Sequence, residues 1–146
     1  MTHKITDDYG NFDYYNTFKR SKIIAKLNDE LRSKILSFDK YHNLGALRFK
    51  DKIVFSHDVS KMSEEDQKEI LQIVRDYKTF TEDNNPHGEK DFGAFNFCSN
   101  DSEYETPERY FWQINYYDND LKYHSDDATD SSKTTRVLTI MKASEY

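Results

Sequence analysis

The chain has 146 residues, a net charge of −6 at pH 7, and 36% hydrophobic against 33% charged residues. Its 11 Tyr, 10 Phe and one Trp exclude a disordered chain, because such chains are poor in the aromatic residues that build a core. A single cysteine, no apolar run near the about 20 residues of a membrane helix, and an N-terminus without an apolar core predict a soluble cytoplasmic protein.

The first half of the chain predicts an arm, a helix and a strand. Residues 1–16 show no clear hydrophobic period and predict a loosely ordered N-terminal arm. From about Thr17 to Leu36, apolar residues recur at steps of three or four, which is the period of a helix. The alternation over Leu47–Lys50 and the run Ile53–Phe55 predict one bent strand or a tight hairpin.

The second half predicts one more helix and three strands. Ser63 is a good N-cap, and the acidic residues that follow it favour the positive end of a helix dipole. Strands are predicted around Phe92–Cys98, over Tyr110–Tyr117 and over Thr135–Lys142. We therefore expect one α+β domain over residues 17–146, with two main helices packed on a mainly antiparallel sheet of about four strands.

The most unusual polar chemistry lies between the second helix and the next strand. His87, Glu89 and Asp91 alternate, so an extended backbone would point them to one side. An imidazole beside two carboxylates can bind a divalent cation or act as a general base with an orienting acid. The spacing matches no established metal motif, and a turn in which Asp83 and Asn84 cap backbone N–H groups explains the same residues. Whether a metal or another cofactor binds is left open.

A second group of candidates lies where the Tyr110–Tyr117 strand ends. Asn115, Tyr117 and Asp118 could contribute to the same site, because loops after strands often expose catalytic or binding groups. The alternative is that Asp118 only begins a turn. The chain has no phosphate loop, dinucleotide fingerprint or G-x-S-x-G motif, which disfavours nucleotide chemistry of the familiar kinds.

Charge is distributed unevenly along the chain. Residues 19–52 carry ten basic and four acidic residues, a net of +6, whereas residues 82–130 carry thirteen acidic and three basic residues, a net of −10. Such a chain could present an acidic surface to a basic partner, or its acids could simply decorate solvated loops. The acidic residues that we predict to bind such a partner, besides Asp83, are Asp101, Glu103, Glu105, Asp120, Asp126 and Asp127.

Three motifs run from Phe80 to Gly93, from Phe111 to Asp118 and from Arg136 to Tyr146. Together they resemble the bacterial domain of unknown function DUF3768, and the resemblance extends over about residues 20–146. Asn85 and Lys90 depart from the Asp and His expected at those positions, and the missing histidine weakens a metal site. The resemblance implies a small bacterial protein, often associated with a plasmid or phage, and it implies no activity.

The sequence is compatible with two functions, one of a binding protein and one of an enzyme. The first is an interaction protein without enzymatic activity, whose acidic loops bind a basic surface of a nucleic-acid-handling or defence protein. The second is a hydrolase in which His87 is the base and Glu89, Asp91 and Asp118 are orienting acids or ligands. Direct binding of nucleic acid is disfavoured by the acidic surroundings of the aromatic strand. The sequence does not predict an oligomeric state.

Overall fold

The computed structural model of the protein describes residues 12–35, 51–100 and 106–146, with side chains from residue 15 onward. The helices are α1 (Phe12–Ser33), α2 (His57–Ser60) and α3 (Glu64–Arg75). The strands are β1 (Lys52–Phe55), β2 (Phe92–Phe97), β3 (Glu108–Tyr117) and β4 (Thr135–Lys142), and a 3₁₀ turn (Ala143–Glu145) follows β4.

The four strands form one mixed sheet in the order β1-β4-β3-β2. The β2–β3 and β3–β4 pairs are antiparallel, whereas β1 runs parallel to β4 with Ile53 opposite Leu138. The connection from α3 to β2 and the connection from β3 to β4 therefore lie at the same end of the sheet, where β2 and β4 begin and β3 ends.

The core lies on one face of this sheet. The sheet contributes the alternating residues that point to this face, among them Trp112, Ile114 and Leu138, and each of these is almost fully buried. Both long helices pack against this face, α1 through Leu31 and α3 through a stripe that includes Ile70 and Val74, and Ile35 joins the core just after α1 ends. An aromatic side chain buries a large area, so the rings compensate for the low aliphatic content.

The predicted elements are largely confirmed, with three differences. Ser63 caps α3 as expected, with its Oγ accepting from the Asp66 N–H at 3.1 Å. The first helix begins at Phe12, five residues before the predicted start. The short helix α2 was not expected, and the parallel pairing of β1 with β4 makes the sheet mixed while two of its three pairings are antiparallel. Residues 12–16 of the arm, which was predicted over residues 1–16, belong to α1, whereas residues 1–11 and the strand at Leu47–Lys50 lie outside the described residues.

Candidate functional site

The connection from α3 to β2, residues 76–91, is shaped by Asn84. Its side-chain carbonyl accepts from the Thr81 N–H at 2.8 Å, and its amide donates to the Thr79 carbonyl at 2.8 Å and the Tyr77 hydroxyl at 3.2 Å. The Tyr77 hydroxyl in turn accepts from the Ala94 N–H of β2 at 3.3 Å. Asn84 therefore holds this turn against the edge of the sheet, which is the capping role that its side chain favours.

His87, Glu89 and Asp91 lie in turns at the start of β2. His87 is exposed, whereas Glu89 and Asp91 are half-buried. Burial raises the pKa of Asp91, the charge on Glu89 raises it further, and the Asp91 backbone N–H and His87 lower it. The three side chains therefore share one electrostatic neighbourhood. Within residues 12–35, 51–100 and 106–146, no group of three or more His, Cys, Asp or Glu residues is arranged to hold a metal ion.

Asn85 and Lys90 contact each other. The Asn85 side-chain carbonyl accepts from the Lys90 N–H at 2.8 Å, and Lys90 has a positive φ of 53°. The Lys90 ammonium lies 3.4 Å from Asp29 of α1 and 5.5 Å from the centre of the Phe80 ring. Asn85 and Lys90 thus act as one local unit that joins this connection to α1.

A buried polar network joins α1 to the sheet. Asn28 is 0% exposed, and its amide donates to the Glu89 carbonyl at 3.0 Å and to the Tyr116 hydroxyl at 2.8 Å. The Asn28 side-chain carbonyl accepts from the Nε of Arg136 at 3.0 Å. Arg136 is 1% exposed, also donates to the Ala128 carbonyl, and lies 5.2 Å from the centre of the Tyr116 ring. Buried polar groups need such partners, so the network fixes how α1 sits over the candidate residues.

Sequence reasoning missed this network, although a signal for it exists. Asn28 lies four residues after Ile24 and three before Leu31, on the apolar stripe of α1. Arg136 precedes Leu138 and Ile140 on the buried face of β4. A polar residue at a position where the period demands an apolar one is the mark of a buried hydrogen-bonded side chain.

A second buried arginine, Arg32, binds backbone carbonyls at the C-terminal end of α3. The Nη1 of Arg32 donates to the carbonyls of Val74 and Tyr77, each at 3.0 Å, where the last carbonyls of a helix lack partners. Its guanidinium also lies 5.0 Å from the centre of the Trp112 ring. A cation at the C-terminal end of a helix is favourable, so Arg32 stabilises α3 and covers the central tryptophan.

Two residues of the family motifs have structural roles. A Cβ atom added to Gly93 would lie 2.2 Å from the Nε1 of Trp112, so only glycine fits beneath this ring. Glu145 accepts from the Ser56 hydroxyl at 2.6 Å and from the Asp58 N–H at 3.2 Å, at the N-terminus of α2. These bonds lower the pKa of Glu145 although its desolvation opposes them.

Asp118 begins a turn in the connection from β3 to β4, residues 118–134. Its Oδ1 accepts from the Lys122 N–H at 2.9 Å, and its own N–H donates to the Tyr123 carbonyl at 2.8 Å. Asp91 lies beside Ile114 of β3, and the Ile114 N–H donates to the Asp91 backbone carbonyl at 2.8 Å. Asp118 lies four residues after Ile114, which places it about 13 Å along the strand direction from Asp91. The structure therefore does not bring Asp118 together with the His87 group.

The remaining predicted residues near Asp118 also have other surroundings. Asn115 and Tyr117 alternate with Ile114 and so lie on the face of the sheet opposite the core. Tyr117 stacks on His124, with the two ring centres 6.0 Å apart, and the Ser125 hydroxyl lies 2.6 Å from that of Thr134.

Four of the five exposed carboxylates in the two connections at this end of the sheet are unpaired within the described part of the chain, whereas the fifth, Asp76, pairs with Arg75. None of the four has an ion pair or hydrogen bond with any residue that the structure describes, and we call them the acidic end: Glu82, Asp83, Asp120 and Asp126. Asp127, in contrast, pairs with Arg20 of α1 at 3.0 Å and accepts from Thr129, and these interactions lower its pKa. The predicted residues Asp101, Glu103 and Glu105 lie outside the described residues.

Comparison with known proteins identifies the family. A family model described as "Protein of unknown function (DUF3768)" matches residues 55–145, so the chain belongs to this family. The match begins after α1, whose Asn28 and Arg32 nevertheless complete the core. A search of the curated proteins and of the solved structures finds no match. No helix in the described part of the chain has both the length and the apolar character needed to cross a membrane.

Proposed function

We propose that this member of the DUF3768 family is an interaction protein whose acidic end binds a basic surface of another protein. The observation that carries the proposal is the placement of Glu82, Asp83, Asp120 and Asp126. Two connections that are separate in the sequence lie at one end of the sheet, and these four exposed carboxylates have no basic partner among the described residues.

The exposed carboxylates of the acidic end favour association with a basic partner that is driven by charge. Unpaired carboxylates on one side of a molecule create a negative potential that attracts a basic partner and speeds its association. Among the other acids of the same connections, Asp118 caps a turn and Asp127 pairs with Arg20, so these two serve the fold. Proteins that handle nucleic acid carry exposed Lys and Arg for phosphate contacts, so a protein of a nucleic-acid-handling or defence system suits this surface.

A comparative capture experiment tests the proposal. The tagged protein is incubated with lysate of a bacterial host, in parallel with an acidic-end variant that carries Glu82→Gln, Asp83→Asn, Asp120→Asn and Asp126→Asn. We expect the wild type to capture a basic protein at about 0.1 M salt and to release it at about 1 M salt, because the screening length falls from about 10 to about 3 Å.

The matched control changes exposed acids at the other end of the sheet. Glu64, Glu65 and Glu69 are exposed on α3, whose first turns contact Ser99 and Asn100 after β2 ends. A variant with Gln at these three positions should capture the same partner as the wild type. Capture that persists in the acidic-end variant, or that survives about 1 M salt, would contradict the proposal.

The raised pKa of Asp91 favours a second candidate function. A half-buried carboxylate beside Glu89 and His87 is a common setting for acid–base chemistry, and a hydrolase would use His87 as base and the two acids to orient it. Hydrolysis of a panel of ester, amide and phosphoester substrates tests it. Activity that falls by about 100-fold or more in His87→Ala supports the hydrolase, and activity that is unchanged in this variant refutes it.

A further inference from the structure

The outer face of α1 carries a row of lysines. Lys19, Lys22 and Lys26 are exposed and follow one another at steps of three and four residues, so they lie along one side of the helix over about 10 Å. None of the three has a carboxylate partner among the described residues. The ammonium groups of Lys19 and Lys22 lie 4.8 Å from the ring centres of Tyr15 and Phe18 respectively.

The same part of α1 exposes more surface than a helix packed on a core does. Residues 16–20 are exposed in succession, so no side of the helix is fully buried there. Phe18 is 49% exposed and Ile23 is 48% exposed, next to the lysines. Both apolar side chains are available to a partner that binds the lysines.

The basic row adjoins acidic residues of the same chain. Arg20, one residue after Lys19, pairs with Asp127 at 3.0 Å, and Asp126 of the acidic end is the neighbour of Asp127. A basic patch and an acidic patch that lie side by side make a self-complementary surface. A two-fold rotation places the basic patch of each copy against the acidic patch of the other copy. Both contacts then form together, and the assembly closes at two chains.

We propose that the chain forms a symmetric dimer in which the lysine row of each copy binds the acidic end of the other. The inference rests on the proposed function of the acidic end and names a second copy of the chain as its basic partner. Phe18 and Ile23 are exposed on either side of the lysine row, so a second copy that binds the lysines can also cover these two side chains.

A charge-swap experiment tests the dimer. One variant carries Lys19→Glu, Lys22→Glu and Lys26→Glu, and the other carries Asp120→Lys and Asp126→Lys. Light scattering with size exclusion should give the mass of two chains for the wild type at about 0.1 M salt and of one chain at about 1 M salt. Each variant alone should be monomeric, since like charges then face each other in both contacts. An equimolar mixture should recover the dimer, because both contacts again join opposite charges, and this recovery also shows that the variants are folded.

The outcomes separate this inference from the proposed function. A monomeric wild type at about 0.1 M salt, or a mixture that stays monomeric, overturns the dimer. If that monomeric wild type still captures a host protein through its acidic end, the proposed function stands without the dimer. A dimer that persists in each variant alone also overturns the inference, since its contacts would then lie elsewhere.

Discussion

Replacing Asn28 with alanine should cost the protein a large part of its stability. Asn28 is 0% exposed and makes three hydrogen bonds, to the Glu89 carbonyl, the Tyr116 hydroxyl and the Nε of Arg136. A buried polar group that loses its partner costs about 1–3 kcal/mol. The substitution leaves three groups without this partner: the Glu89 carbonyl, the Tyr116 hydroxyl and the Arg136 Nε. Because Glu89 is half-buried and Arg136 keeps its bond to Ala128, we take a value near the lower limit for each of the three groups. The expected loss in the free energy of unfolding is then about 3–4 kcal/mol.

Urea unfolding followed by the fluorescence of Trp112, which is the only tryptophan, measures this loss. Asn16→Ala, at an exposed position of the same helix, is the matched control and should change the free energy of unfolding by no more than about 0.5 kcal/mol. In a double-mutant cycle, Asn28→Ala and Tyr116→Phe should be coupled by about 0.5 kcal/mol or more, because they remove two ends of one bond. A loss below about 1 kcal/mol for Asn28→Ala, or strict additivity, would refute the role of the network.

Three further substitutions have definite expected results. Gly93→Ala should destabilise the protein by about 1–3 kcal/mol in the same urea assay, because the added Cβ would lie 2.2 Å from Trp112, and an unchanged midpoint would contradict this packing. Burial of Asp66 opposes its ionisation, but hydrogen bonds from Ser99 and Asn100 outweigh this effect and lower the pKa of Asp66. The ionised carboxylate therefore stabilises the fold at any pH above its unfolded-state pKa of about 3.9, and this stabilisation is lost as the pH falls through the folded-state pKa. Asp66→Asn should therefore destabilise at neutral pH by an amount that shrinks in acid, and a pH-independent difference would contradict the charge-based account. For Asp91 the folded-state pKa is raised, so its favourable contribution is present at low pH and is lost as the pH rises; Asp91→Asn should be more stable than the wild type at neutral pH, with the gain disappearing in acid. A destabilised Asp91→Asn at neutral pH would contradict that sign.

Local signals in the sequence predicted much of the fold. Ser63 and the acids after it are typical of a helix start, and α3 begins there with Ile70 and Val74 on its buried side. The alternation of Tyr110, Trp112 and Ile114 is typical of a strand, and these three residues lie on the buried face of β3. These features depend on residues close in the chain, so the period of the pattern is enough to find them.

Features that depend on distant residues were not predictable in this way. The parallel pairing of β1 with β4 joins residues 85 positions apart, as in the Ile53–Leu138 pair, and no local pattern encodes it. The burial of Asn28 and Arg136 depends on each finding the other across the fold. Polar residue types are usually exposed, so neither residue was predicted to be buried, although each occupies an apolar position of the pattern of its element.

The candidate site was predicted only in part for a related reason. The grouping of His87, Glu89 and Asp91 was expected from an extended backbone, whereas Gly88 and Lys90 both have positive φ and turn the chain. Glycine readily adopts this conformation, but a lysine there is uncommon and depends on surrounding contacts, here the bond from its N–H to Asn85. The acidic end was harder to foresee, because it requires the order of the strands.

A titration of the isotope-labelled protein with a lysine-rich peptide, followed by backbone amide chemical shifts, tests the central claim most directly. The peptide is a minimal basic surface, and the shifts show which part of the molecule it contacts. We expect the changes to concentrate in residues 82–91 and 118–130 and to disappear at about 1 M salt. Changes that centre on α3 around Glu65 and Glu69, or that are spread evenly over all exposed acids, would contradict a binding surface at the acidic end.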